Sequence, residues 1–500
     1  MTYHLETAEN PEKLRRVAID PVSRVEGHGK VTLLIDEANK VQQVRLHIVE
    51  FRGFEKFIQG RPYWEVPVMV QRLCGICPVS HHLAASKALD IIVGARQITP
   101  TAEKMRRLMH YGQILQSHAL HFFHLSSPDL LFGFESEVEK RNIVGVAAAH
   151  PDIARKGVLL RKFGQEVIRV TAGKRVHGTG SIPGGVNKSL SIDERDLLLK
   201  DAYQMIAWSR DAVQLIKQLH QQNPALYDVF GSFHSKLMSI VAPDGGFDLY
   251  HGALRAREAD GSILFDQHDY QNYDKLITEE VKPWTYMKFP YLSALGAENG
   301  WYKVGPLARI QNCDHMPTPF ADLERRELLA YASRNGDGPL LHATLGYHWA
   351  RMIEMLCAAE TIKDLLHDDD LLGGDLVTSG EHQREGVGVI EAPRGTLIHH
   401  YRVGDDDLVT MANLIVSTTH NNQAMNTAVR EVAKRYLNGR ELTEGLLNHI
   451  EVAIRAFDPC LSCATHALGD MPLEVALVDA EGITLDRLRR DHRGCVHLDS

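Results

Sequence analysis

Two Cys-x-x-Cys units stand at opposite ends of this chain, and they restrict its fold more than any other feature. The first is Cys74-Gly75-Ile76-Cys77, with His81 four residues on; the second is Cys460-Leu461-Ser462-Cys463, with His466 behind it. Thiols at i and i+3 can grip one metal ion, because a turn of backbone brings both sulfurs to one side. Paired units that hold structural zinc usually lie about 15–20 residues apart. Here the 382 residues from 78 to 459 intervene. If the two pairs meet, nearly the whole chain folds around their junction. A small structural staple rarely needs that; a buried catalytic metal does. Unrelated surface thiols, a four-thiolate zinc site and a redox dithiol are the plainer readings. The dithiol fits poorly, since neither unit follows a strand in a βαβ pattern. Soft thiolates suit nickel, copper(I), zinc or iron, and spacing does not choose among them.

The flanking residues do choose. The blocks Asp20-Pro21-Val22-Ser23-Arg24-Val25-Glu26-Gly27-His28, Phe51-Arg52-Gly53-Phe54-Glu55, Gly184-Gly185, Glu391-Ala392-Pro393-Arg394-Gly395 and Ser417-Thr418-Thr419 accompany the two cysteine units in a fixed order. In wording and order they resemble the large subunits of nickel–iron hydrogenases, from about residue 16 onward. The stretch Val70-Gln71-Arg72-Leu73 with the first cysteine unit and Pro78-Val79-Ser80-His81-His82 most resembles the cytoplasmic, NAD-reducing bidirectional branch. Gly305-Pro306-Leu307-Ala308-Arg309 is similar to the cytoplasmic branches.

The resemblance implies reversible cleavage of H2 to protons and electrons, and it assigns residues. Cys74 and Cys460 would be terminal nickel ligands; Cys77 and Cys463 would bridge nickel to an iron carrying carbon monoxide and cyanide. His81 would donate a hydrogen bond near a bridging sulfur. Arg394 would lie over the open face of the metals, where a planar fork of donors suits cyanide and polarised H2 better than a lysine. Pro393 and Thr418 would contact the cyanides. Asp458 would anchor Arg394 or order the Pro459 turn. Glu26 would relay the proton from the Cys460 thiol, since burial can raise a carboxyl pKa toward working pH. Glu55, His466 and the Leu414 carbonyl would hold a structural magnesium ion, a hard cation suited to oxygen donors. Ser117 stands where the membrane-bound uptake branch carries an acidic residue, which removes a charge from that position.

The resemblance also implies maturation by cleavage between His466 and Ala467. Residues 1–466 would be the working domain, and 467–500 an extension removed on maturation. The plainer reading of the tail is an ordinary C-terminal strand and helix, because Leu473–Val478 alternates like a strand.

Composition excludes several classes. The formal net charge is −9 with no long basic run, so nucleic acid and anionic membrane are poor partners. Seven cysteines without a disulfide-like framework fit a reducing compartment. No secretory leader and no run of about 18 apolar residues is visible, so a cytoplasmic location without a membrane span is expected. There is no Gly-x-Gly-x-x-Gly, since Gly178-Thr179-Gly180-Ser181-Ile182-Pro183 ends in proline. There is no phosphate loop and no cysteine set left for an iron–sulfur cluster. NAD, FMN and iron–sulfur clusters are therefore expected only in partners: a hydrogenase small subunit, together with flavin-containing diaphorase subunits. Nickel chaperones and a maturation endopeptidase complete the implied set. The alternatives are a relative coupled to NADP or a deazaflavin, a non-catalytic redox scaffold, and a structural zinc protein.

The chain reads as α+β, mainly α, with long helices and N-terminal antiparallel strands. Residues 30–52 alternate around Asn39. Thr99-Pro100 opens a helix to about Leu125, and Ser191-Ile192-Asp193-Glu194 caps another to about Gln221. Residues 341–367 and 419–437 are periodic helices, and 237–315 reads as loops with short strands. Asp368-Asp369-Asp370 and Asp405-Asp406-Asp407 read as solvated turns.

Overall fold

The computed structural model describes residues 5–335, 338–465, 473–478, 484–490 and 496–499. The N-terminal alternation folds as expected. Gly29–Ile35 and Val41–Ile48 pair antiparallel. In the turn between them the Asp36 carboxylate accepts the N–H groups of Ala38 and Lys40, both at 2.9 Å. Arg15–Ile19 adds a third strand that the alternation of 30–52 did not reveal.

The capping residues place the long helices. Thr99 accepts the Ala102 N–H at 3.1 Å, and the helix runs Pro100–Leu120 before widening into a π-turn at His121–Ser126. Both bonds of the Ser191–Glu194 capping box form, and that helix runs Ile192–Gln222. The helix expected over 341–367 runs Gly346–Leu366, starting five residues later than its periodicity suggests. Upstream of it, Leu341 gives its N–H to the Gln311 side chain at 2.6 Å and the chain stays irregular. This helix is buried on almost every side, as one packed against both Ile192–Gln222 and Pro100–Leu120 must be. Residues 417–437 are helical too, as Ser417–His420, Asn422–Val432 and a π-turn at Ala433–Leu437.

The region 237–315 is more ordered than its composition suggests. Lys236–Val241, Ala253–Arg257, Ile263–His268 and Tyr302–Lys303 form one four-stranded sheet, and Pro306–Asn312 is a buried helix that was not expected.

A meander of three strands, Glu385–Ala392, Gly395–Val403 and Val409–Ile415, also escaped the sequence reading. Its first two strands are buried along nearly their whole length on both faces, so they show no alternation to detect. Asp405-Asp406-Asp407 forms the turn before its third strand, as expected. Helix Pro78–Ile92 lies directly on Glu385–Ala392. At Gly386 and Gly388 a Cβ would overlap the carbonyl oxygens of Ala88 and Ala84. That close approach carries Cys77, which precedes the helix, to the turn Ala392-Pro393-Arg394-Gly395.

The architecture is α+β and dominated by helices, as expected. One hydrophobic cluster joins the long helices, and a second encloses all four motif cysteines. No helix among the described residues is long and apolar enough to cross a membrane. At the C-terminus Leu473–Val478, Thr484–Arg490 and Val496–Asp499 pair antiparallel as a separate sheet.

Candidate metal centre

Residues from both ends of the chain build the centre. Glu26 forms an isolated parallel bridge with Cys460, and Leu461 gives its N–H to the Glu26 carbonyl at 2.9 Å. Gly27, at φ +83°, allows this contact, since a Cβ there would lie 2.6 Å from the Ser462 nitrogen. Behind it, the Asp129 carboxylate takes Arg24 at 2.7 Å on one oxygen and Arg455 at 2.5 Å on the other. Arg455 also bonds the Ser23 carbonyl. The N-terminal loop is thus riveted to the helix Glu444–Ala456 that leads into the second cysteine unit.

The two Cys-x-x-Cys units meet. The four sulfurs lie within 4.8 Å of one another, all buried. Cys74 and Cys460 are 3.1 Å apart, Cys460 and Cys463 2.9 Å, Cys77 and Cys463 3.7 Å, and Cys77 and Cys460 3.9 Å. Hydrogen bonds from Cys460, Cys463 and Cys77 pull the Cys74 thiol well below its usual pKa. Burial pushes Cys460 and Cys463 well above theirs. A cation among the sulfurs would favour their deprotonation. Four buried soft donors fit a thiophilic metal. A small cavity adjoins the cluster, lined among others by Cys77, His81, Pro393, Arg394, Thr418 and Cys460.

Arg394 forms one wall of this cavity. Its Nε donates to the Asp458 carbonyl at 2.5 Å, and one Nη to the Asp458 carboxylate at 3.1 Å. Asp458 thus contacts Arg394 through both its carbonyl and its carboxylate. The other Nη reaches the Ser117 hydroxyl at 3.5 Å. Burial opposes the guanidinium charge, but Asp458 and the Cys460, Cys77 and Cys74 sulfurs outweigh it and hold the pKa well above the usual value. Burial raises the Asp458 pKa, partly offset by Arg394 and Arg351.

Glu26 meets the Cys460 sulfur. One carboxylate oxygen accepts the Cys460 thiol at 2.9 Å and the Ser462 N–H at 3.2 Å; the other accepts the Ser462 hydroxyl. Burial, then the Cys74 charge, raises its pKa. Glu26 is half-buried. Thr418 accepts the Cys460 N–H at 2.9 Å. His81 bonds His399 through Nδ1 at 3.1 Å, and burial holds its pKa down at about 4. The proposed magnesium ligands are only partly on view. Glu55 accepts the Leu414 N–H at 2.8 Å, and burial pushes its pKa up to about 7. His466 and the expected cleavage point lie outside the described residues.

Sequence reasoning gave no site role to Arg309, Glu354, Arg351, His399 or Tyr401, and quoted Glu391 only as part of a block. Arg309 makes a two-pronged pair with Glu354, both at 2.6 Å. It also donates to Glu391 at 2.9 Å and to the carbonyls of Ala392 and Pro393 at 2.7 and 3.1 Å. It therefore braces the turn that presents Pro393 and Arg394. Its place in Gly305-Pro306-Leu307-Ala308-Arg309 was the only available signal.

Comparisons with known proteins agree with this geometry. The family profile "Nickel-dependent hydrogenase" matches residues 52–132 and 251–466, and a "HoxL-like" profile matches 16–51. The chain is 49% identical to the NAD-reducing hydrogenase HoxS subunit beta of Cupriavidus necator, over 95% of this chain and 100% of that one. It is 40% identical to an F420-non-reducing hydrogenase chain of Methanothermobacter thermautotrophicus, over 95% and 100%. The crystal structure of an NAD+-reducing [NiFe]-hydrogenase in the H2-reduced state superposes with a TM-score of 0.88 at 61% identity, covering 90% of this chain and 99% of that one. The Ni-Fe-Se hydrogenase of D. vulgaris Hildenborough, at 23% identity, shares the fold with a TM-score of 0.73, over 91% and 100%.

Proposed function

The chain belongs to the nickel-dependent hydrogenase family as a large, catalytic subunit that oxidises H2 reversibly, and from that premise we propose how its residues act and where its electrons go. The observation that carries the reading is the meeting of Cys74, Cys77, Cys460 and Cys463 beside Arg394, with Glu26 on the Cys460 thiol. Cys74 and Cys460 would hold nickel alone, and Cys77 and Cys463 would share it with an iron bearing carbon monoxide and cyanide. When bound, that centre supplies the redox-active Lewis acid at which H2 is cleaved.

The protein's part is to hold, polarise and move protons. Arg394, tied down by Asp458, turns its remaining donors toward the cavity. There they would favour negative charge as the H–H bond polarises. Pro393 and Thr418 line the same cavity and would seat the diatomic ligands. The Cys460 sulfur would take the proton and pass it to Glu26. Its oxygen, 2.9 Å from that sulfur, needs no movement to receive it. Glu55, the Leu414 carbonyl and His466 would hold magnesium; Glu55 already meets Leu414, whose N–H it accepts at 2.8 Å.

Electrons would leave through a small subunit with iron–sulfur clusters and flavin-containing diaphorase subunits to NAD+. Identities of 49% and 61% to NAD-reducing enzymes, against 40% to the F420-non-reducing relative, support that acceptor. Residues 467–500 would be cut away after His466, which an intact mass of the active protein tests: a tail retained in nickel-loaded, active enzyme sinks the cleavage. Infrared absorption of the purified complex tests the centre. Carbon monoxide and cyanide stretching bands, with one nickel per chain, are expected. Zinc in the four thiolates of active enzyme overturns the reading, and H2-dependent reduction of another acceptor but not NAD+ overturns the acceptor.

A further inference from the structure

A buried chain of three side chains leads away from the cavity beside the four sulfurs. His81 lines the cavity with Cys77, and its Nδ1 meets His399 Nε2 at 3.1 Å. His399 Nδ1 meets the Tyr401 hydroxyl at 2.6 Å. His399 and Tyr401 lie two residues apart on the strand Gly395–Val403. The alternation of a strand therefore points both to one face, and helix Pro78–Ile92, which carries His81, packs on this strand. His81 is 1% exposed and the other two 0%, so no bulk water competes for these bonds.

The direction of the chain is set from its far end, by the phenol. A neutral imidazole donates at one nitrogen and accepts at the other. In one sense, Tyr401 donates to His399 Nδ1, His399 Nε2–H donates to His81 Nδ1, and His81 is left with Nε2–H to offer the sulfurs. In the other sense every donor reverses. His81 then presents the Nε2 lone pair to the anionic thiolates, and the phenol hydrogen must find another acceptor. A phenol with an ordinary pKa of about 10 keeps its proton at neutral pH and is a ready donor. The first sense satisfies all three groups head to tail.

We propose that His399 and Tyr401 are positioning residues that hold His81 as its Nε2–H tautomer, with the donor side toward the sulfur cluster. The proposal rests on the nickel–iron reading above. A donor at a bridging sulfur withdraws electron density from it, and less density reaches the iron and the antibonding orbitals of its diatomic ligands. Without the chain, His81 can adopt the other tautomer and that withdrawal is lost.

The readout is the position of the carbon monoxide and cyanide bands, not turnover. His399→Leu should move the bands to lower wavenumber. His399→Gln, whose amide N–H can still donate to His81 Nδ1, should hold them near the wild-type position. Tyr401→Phe removes one oxygen from the far end and should move them the same way by less. In a His81→Ala background neither His399→Leu nor Tyr401→Phe should move them further, because both act through His81. Bands that stay put in His399→Leu and Tyr401→Phe, or that move equally without His81, overturn the proposal. Should His399→Leu fail to assemble, Tyr401→Phe with and without His81 decides it. A wild-type complex without such bands overturns the nickel–iron reading and the proposal with it; bands that are present but indifferent to the chain overturn the proposal alone.

Discussion

Arg309 and Arg394 are both buried, and Arg394 sits in the turn that Arg309 braces. Their surroundings differ in one respect. A guanidinium has five N–H donors. Arg309 makes five bonds, to both oxygens of Glu354, to Glu391 and to the carbonyls of Ala392 and Pro393. Glu391 is completed by the Ile240 N–H at 3.0 Å and the Thr396 hydroxyl at 2.8 Å. Among the described residues Arg394 makes three, two to Asp458 and a long one to Ser117. One Asp458 carboxylate oxygen has no partner among them. A buried charge whose donors are all taken by protein holds structure. A buried charge with donors left over, beside a cavity and four sulfurs, can still take a partner that is not protein.

If this contrast is right, mutations around the two arginines must separate by what they damage. Cys460→Ser removes a soft ligand from the cluster and should abolish H2 oxidation and nickel binding, while thermal unfolding shifts little; retained nickel with full activity would break the assignment. Glu26→Gln keeps size and hydrogen bonding but cannot carry a proton. It should load metal normally and lose about 10²–10⁴-fold in H/D exchange, the range for general acid–base catalysis; near-normal exchange would take Glu26 off the proton path. Arg309→Met leaves Glu354 and Glu391 buried without their partner. It should cost roughly 3–5 kcal/mol of stability, seen as a lower unfolding midpoint in the metal-free chain, where no catalytic role contributes. An unchanged midpoint would erase the distinction between the two arginines.

Arg394→Lys keeps the charge and loses the fork. Assembled metals with about 10²-fold slower turnover are expected, the scale of one preorganised donor; a variant that lacks metals would shift its role to assembly. Ser117→Ala removes only a contact of 3.5 Å, longer than a normal hydrogen bond. Turnover should stay within about twofold, as for a change of roughly 0.5 kcal/mol or less. A large loss there would mean that Ser117, and not Asp458 alone, holds Arg394 in place.

Short-range chemistry was open to sequence reading. Thr99, Ser191 and Glu194 made the capping bonds that their types and spacing foretold. The alternation around Asn39 became paired strands. The cysteine units carried their meaning in local spacing and in flanking blocks, and the structure brings them together. The first two strands of the meander, Glu385–Ala392 and Gly395–Val403, were not open in the same way, because buried strands lose the polar alternation that marks a strand.

What the sequence determined by itself was which residues can do chemistry: soft donors at both ends, a fork of donors in Ala392-Pro393-Arg394-Gly395, and a carboxylate in Arg24-Val25-Glu26-Gly27. What only the tertiary structure decided was how completely each is satisfied. Arg309 meets Glu354 across 45 residues and Glu391 across 82, and His81 meets His399 across 318. Caps and turns act over three or four residues, where spacing along the chain equals spacing in space. A buried polar group takes whatever partners the packing brings to it, and that packing is a property of the whole fold.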